Sequence, residues 1–101
     1  MPKNKIKVGI TLGDPAGVGC AITAKAINKL KGLAEFVIIG DAWVFRKVQS
    51  SKFIVQSCSF IDLDNVPHKG FEFGKIKAEY GRASMEYLDK ALEFVRTKEI
   101  D

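Results

Sequence analysis

Gly13-Asp14-Pro15-Ala16-Gly17-Val18-Gly19 separates two stretches of different hydrophobic period, and that change of period decides the fold. Before it, Ile6, Val8, Ile10 and Leu12 alternate with Lys5, Lys7 and Thr11. This period-two pattern predicts a strand from Lys5 to Leu12, which Gly9 interrupts only mildly. After it, Ile22, Ala26 and Leu30 recur every fourth residue with Ile27 beside them, which predicts a helix from Val18 to Leu30. Its apolar face would point inward, leaving Lys25, Asn28 and Lys29 outside. The order is strand, glycine-rich turn, helix.

Such a turn has chemical content. Glycines let a backbone approach a ligand closely, and the first turn of the following helix presents unpaired N–H groups with a partial positive charge. The spacing is neither the dinucleotide fingerprint nor the lysine-bearing phosphate loop, because Asp14, Pro15 and Cys20 stand where those motifs need glycine or lysine. A purely structural alternative is a tight strand-to-helix connection, started by Asp14 and Pro15, in which the glycines serve close packing.

Downstream, Lys31-Gly32 resembles a helix stop, and Phe36 to Ile39 is a continuous apolar run suited to an interior parallel strand. Asp41 is placed to cap a short helix reaching about Gln49, with Ala42, Phe45 and Val48 on one face. Phe53-Ile54-Val55 is expected as a third strand, and Phe60 to Pro67 as another short extended piece. His68-Lys69-Gly70 is a loop, and Phe71-Glu72-Phe73-Gly74 places two aromatics on one side of an extended segment. From about Lys77 to Val95 a long helix is predicted, with Tyr80, Ser84, Tyr87, Leu88, Ala91, Leu92 and Val95 inward. Gly81 within it suggests close packing against another backbone. Alternating strands and helices imply an α/β fold with a mostly parallel sheet.

Hydrophobic residues make up 47% and charged residues 28% of the 101, which excludes a disordered chain, and no apolar run approaches the roughly 20 residues of a membrane span. Met1 to Lys5 is basic, but no signal-peptide pattern follows, so a cytoplasmic location is expected. The net charge of +4 is scattered over helix faces, and no nucleic-acid motif accompanies it. Neither nucleic acid nor membrane is therefore an expected partner. Cys20 and Cys58 lack metal or redox spacing, and two buried or partly buried thiols are expected. A place near a helix start would lower the Cys20 pKa and leave room for a reactive thiol.

Thr11-Leu12-Gly13-Asp14-Pro15-Ala16-Gly17-Val18-Gly19 resembles the N-terminal signature of the 4-hydroxythreonine-4-phosphate dehydrogenase family, the NAD-dependent enzymes of pyridoxal phosphate biosynthesis. Phe36-Val37-Ile38-Ile39-Gly40-Asp41 resembles the family's second strand, and Gly74-Lys75 through Ala78-Glu79-Tyr80-Gly81-Arg82-Ala83-Ser84 the segment leading its next long helix. Where the family commonly continues the glycine turn with Pro-Glu, this chain has Cys20-Ala21. The resemblance implies an isocitrate/isopropylmalate dehydrogenase-like fold. Residues 1–101 would then be the N-terminal α/β portion of a larger two-domain enzyme, truncated and without an internal domain boundary.

By the same resemblance the parent would use NAD and a divalent metal to oxidise a phosphorylated hydroxy-amino acid that then loses carbon dioxide, and it would work as a homodimer. Gly13, Asp14, Pro15, Ala16, Gly17 and Gly19 would line the cofactor or substrate cleft, which also suits the carboxyl end of a strand. The family's metal-ligand histidines match no position here. The lone His68 cannot build a metal site, Asp62 and Asp64 lack further ligands, and Glu79, Glu86 and Glu93 belong to a charged helix face. No catalytic or metal residue is therefore assigned, and the 101 residues alone are expected to be inactive and to bind no cofactor tightly. Two alternatives are a related dehydrogenase of phosphorylated sugar acids and a standalone, non-enzymatic α/β binding module.

Overall fold

The computed structural model describes residues 6–30, 32–47 and 58–101. Its elements are β1 (Lys7–Thr11), α1 (Gly19–Leu30), β2 (Glu35–Gly40), α2 (Ala42–Arg46), β3 (Cys58–Asp62) and α3 (Ala78–Arg96). The three strands form one parallel sheet in the order β1-β2-β3. Lys7 pairs with Glu35 and Thr11 with Ile39 across the first ladder, and Phe36 with Cys58 and Gly40 with Asp62 across the second. Parallel neighbours require a crossover between them, and α1 and α2 lie in the two crossovers. The expected α/β fold is present.

β2 carries the core. Ile38 and Ile39 point to opposite faces of the sheet and both are fully buried, so both faces are covered. Leu12, Phe36, Val44, Phe45, Val66, Tyr80 and Tyr87 complete one contiguous cluster around them. β1 is less buried than its alternation suggests: Ile6 and Val8 are exposed, while Leu12 just beyond the strand is buried. Gly9 serves a packing purpose, since a Cβ there would sit 2.4 Å from Ile100 Cδ1.

Several sequence expectations shift. α1 turns a different face inward: Cys20, Thr23, Ala24 and Ile27 are buried, whereas Ile22 and Leu30 are exposed. Cys20, Ala24 and Ile27 join the core cluster around β2, and packing into it sets the rotation of the helix. α3 likewise buries Tyr80, Ala83 and Tyr87 but exposes Leu88, Leu92 and Val95. Open space surrounds the position a Cβ would take at Gly81, so no backbone packs there. Among the described residues the third strand is Cys58–Asp62. The expected strand at Phe53 to Val55 and the far end of the second helix at Val48 and Gln49 lie outside the described residues. Gly32 has a φ of +94°, as a glycine closing a helix requires. Among the described residues, no helix is long and apolar enough to cross a membrane.

Candidate functional site

The glycine turn grows directly out of the sheet. Leu12 N–H donates to the Ile39 carbonyl at 3.1 Å, extending the ladder one residue past β1. Gly13 then reverses the chain at a φ of +72°, a region that favours glycine. Asp14 Oδ1 accepts the Ala16 N–H at 2.8 Å, and the Asp14 carbonyl accepts the Gly17 N–H at 2.9 Å. The side chain and backbone of one residue thereby close the turn. Gly19 is required where α1 begins, because a Cβ would lie 2.1 Å from the Leu12 carbonyl oxygen.

The six residues singled out in the sequence therefore divide. Pro15 and Ala16 are buried, Gly13 and Gly19 shape the backbone, and Asp14 and Gly17 face solvent. Ala16 and Gly17 border a groove of about 480 Å³ together with Val18, Ala21, Lys47, Phe73 and Gly74. Gly13, Asp14, Pro15 and Gly19 are not among the residues that line it. The turn is thus a tight connection closed by its own hydrogen bonds, with Ala16 and Gly17 bordering an open groove. The groove lies beyond the carboxyl ends of β1 and β2, where open parallel sheets place their ligands.

Its far wall comes from the 66–74 loop. Gly74 N–H donates to the Ala16 carbonyl at 2.7 Å, and Gly74 adopts a φ of +86° to do so. Phe73 meets Phe71 edge-on at 5.1 Å, and Phe71 contacts Trp43 at 5.0 Å and Tyr80 at 5.4 Å. His68 stacks on Trp43 with ring centroids 3.9 Å apart. The lone histidine is thus part of an aromatic ladder that holds the loop to α2. Lys77 adds a clasp, donating to the Gly70 carbonyl at 3.2 Å.

Behind the turn lies a buried polar cluster. Asp41 has no solvent exposure; its Oδ2 accepts the Val66 N–H at 3.0 Å and its Oδ1 accepts the Tyr87 hydroxyl at 2.5 Å. Asp41 occupies the N-cap position of α2 but makes no capping bond with its side chain. The cap comes instead from Asp62, whose Oδ1 accepts the N–H groups of Ala42 and Asp64, each at 3.1 Å. Asp41 is turned inward because Val66 and Tyr87 present donors there, a pairing of distant residues that local sequence does not display. Burial, reinforced by hydrogen bonding to Asp41, raises the Tyr87 pKa. Burial, and then the Asp41 charge, pushes the Cys20 thiol up to about 11. The helix-start effect expected to activate Cys20 is thus outweighed. Burial also raises the half-buried Cys58.

The described residues contain no group of three or more His, Cys, Asp or Glu able to hold a metal. A second hollow, of about 410 Å³, opens near the amino ends of the strands between Lys7, Glu35, Cys58 and Ile100. None of the six turn residues lines it. The groove beside Gly17 is accordingly the candidate site.

No family model matches the chain. Proteins provisionally named D-threonate 4-phosphate dehydrogenase, from Clostridium botulinum and Fusobacterium nucleatum, are each 30% identical to it. The alignments take in 100% and 96% of this chain but 36% and 35% of those proteins. A crystal structure of a 4-hydroxythreonine-4-phosphate dehydrogenase from Burkholderia phymatum superposes with a TM-score of 0.81 at 24% identity, over 99% of this chain and 35% of that one. A structure given provisionally the same name, from Salmonella typhimurium, superposes at 0.78 with 26% identity, over 96% and 36%. The chain therefore spans about a third of the length of the proteins it matches, and within that span both the sequence resemblance and the fold hold.

Proposed function

We propose that this chain, a segment of the 4-hydroxythreonine-4-phosphate dehydrogenase family, forms one wall of the ligand cleft in an NAD-dependent dehydrogenase of phosphorylated hydroxy acids. The observation that carries this is the groove of about 480 Å³ between the glycine turn and the 66–74 loop, at the carboxyl ends of parallel strands. Gly17 leaves room for close approach to the backbone, Lys47 supplies positive charge, and Asp41 with Tyr87 anchors Val66 in the loop that leads to the groove's far wall. On this proposal residues 1–101 are one α/β portion of a larger two-domain, homodimeric, cytoplasmic enzyme.

The described residues do not fit a divalent metal. Any metal-assisted part of the reaction would belong to residues outside this segment, and no step through it is assigned to this chain. Two substrate classes remain. The names of the solved neighbours favour a phosphorylated hydroxy-amino acid, and those of the sequence relatives a phosphorylated four-carbon sugar acid.

The test is Gly17→Val in a full-length protein carrying this segment, comparing thermal unfolding with NAD affinity and with kcat/KM for both substrates. Normal folding with kcat/KM lowered tenfold or more supports a ligand-facing turn. Normal folding with unchanged kinetics assigns the turn to packing alone. The isolated 101 residues, given NAD, a divalent metal and either substrate, are expected to form no NADH; formation abolished by a chelator would overturn that expectation.

A further inference from the structure

We propose that the outer edge of β1 is the docking edge for a fourth parallel strand, formed by the residues that follow Asp101 in the full-length protein. The path toward that edge is already set. Lys98, just past α3, adopts a φ of +66°, and the Glu99 N–H returns to the Phe94 carbonyl at 2.8 Å. Asp101 then meets the first residue of β1: its N–H donates to the Lys7 carbonyl at 2.8 Å, and its Oδ2 accepts the Lys7 N–H at 2.8 Å. Ile100 is buried in the space that a side chain at Gly9 would need. On the way α3 packs across β2 and β1, the course of a crossover from β3 to the far side of β1.

The edge is regular. Glu35 N–H donates to the Ile6 carbonyl at 2.9 Å and Leu12 N–H to the Ile39 carbonyl at 3.1 Å, so the even-numbered residues of this stretch face β2. By the two-residue period of a strand, Lys7, Gly9 and Thr11 turn their backbone groups the other way. Among the described residues β1 pairs with β2 alone. A strand that starts beside Lys7 can cover Gly9 and Thr11 only by running in the same direction as β1. The Gly9 carbonyl then takes the N–H of the second residue after Asp101, and the Thr11 carbonyl that of the fourth. The chain spans about a third of the length of the proteins it matches, so its parent has polypeptide to supply. The same strand explains an exposure that the sequence pattern does not. β2, with a neighbour on each side, is buried on both faces, whereas β1, with one neighbour, leaves Ile6 and Val8 exposed. Parallel strands are ordinarily covered on both faces, and a fourth strand with its own connection supplies that cover. The pairing is independent of what the groove beside Gly17 binds.

The experiment is residue-resolved amide hydrogen exchange on a full-length protein carrying this segment, with Val8 and Ile10, whose amides face β2, as the internal reference. A fourth strand is expected to hold the Gly9 and Thr11 amides within about tenfold of that reference. Exchange at Gly9 and Thr11 more than about tenfold faster leaves the edge open and overturns the proposal. Interstrand NOEs identify the occupant, and the Gly9 and Thr11 amides are expected to meet protons of the first few residues after Asp101. NOEs to any other segment overturn the proposal, as do NOEs to a second copy in a mixed-label sample.

Discussion

Tyr87 on α3 donates its hydroxyl at 2.5 Å to the fully buried carboxylate of Asp41 at the end of β2, joining residues 46 positions apart. The same carboxylate accepts the Val66 N–H at 3.0 Å. One side chain therefore ties a strand end, a helix and the loop that leads to the candidate groove. A buried acceptor that loses its donor is left with the desolvation cost of an unsatisfied group. Tyr87→Phe is expected to destabilise by about 1–3 kcal/mol, which for a domain of this size lowers Tm by roughly 4–8 °C per kcal/mol. Calorimetry of the two proteins checks it.

Alkaline pH should weaken the fold before Tyr87 ionises in the native state. Cys20 has a raised folded pKa of about 11 against an ordinary 9.0, so it keeps its proton in the folded protein after the unfolded chain has lost it. Its contribution is fully present below pH 9 and is lost as pH rises toward 11, at up to about 1.4 kcal/mol per pH unit for one proton. Tyr87, also raised, adds a decline of the same sign above its ordinary value of 10.0. Urea unfolding at pH 8, 9, 10 and 11 should show falling stability, and Cys20→Ala should flatten the curve between 9 and 11.

Two glycines should respond oppositely to alanine. Gly19→Ala drives a Cβ to 2.1 Å from the backbone oxygen of Leu12, which cannot swing aside, and a loss above about 2 kcal/mol is expected. At Gly81 the space is open and the residue lies within α3, so alanine should stabilise by roughly 0.5–1 kcal/mol. Chemical denaturation of both variants tests the contrast.

Asp62, rather than Asp41, should behave as the cap of α2. Asp62→Ala removes the acceptor of two N–H groups and is expected to cost about 1 kcal/mol, with Asp62→Asn recovering most of it. Equal losses in the alanine and asparagine variants would show that the carboxylate's charge, not its capping bond, is what matters.

Removing the ring of His68 should loosen the groove's far wall. It stacks on Trp43 at 3.9 Å, and His68→Ala is expected to cost about 0.5–1.5 kcal/mol and to speed amide exchange from Phe71 to Gly74. Unchanged exchange there would separate the ladder from the loop.

By itself the sequence determined what short-range chemistry can encode. The alternation into Leu12, the apolar run at Phe36 to Ile39 and the helical period after Ala78 depend on the spacing of neighbouring residues, and parallel strands with intervening helices appear where that spacing predicts them. The glycine turn was legible for the same reason, since Gly13 and Gly19 meet local backbone demands. Which face of each helix turned inward was decided only in three dimensions. Ile22 and Leu88 are as apolar as the residues that were buried, but the packing of Cys20, Ala24 and Ile27 into the core, and the bond anchoring Tyr87 to Asp41, set the two rotations. The site divides in the same way. Ala16 and Gly17 could be named from the turn, whereas Lys47 and Phe73 became groove residues because hydrogen bonds and ring contacts brought distant segments together, and linear spacing carries no record of such contacts.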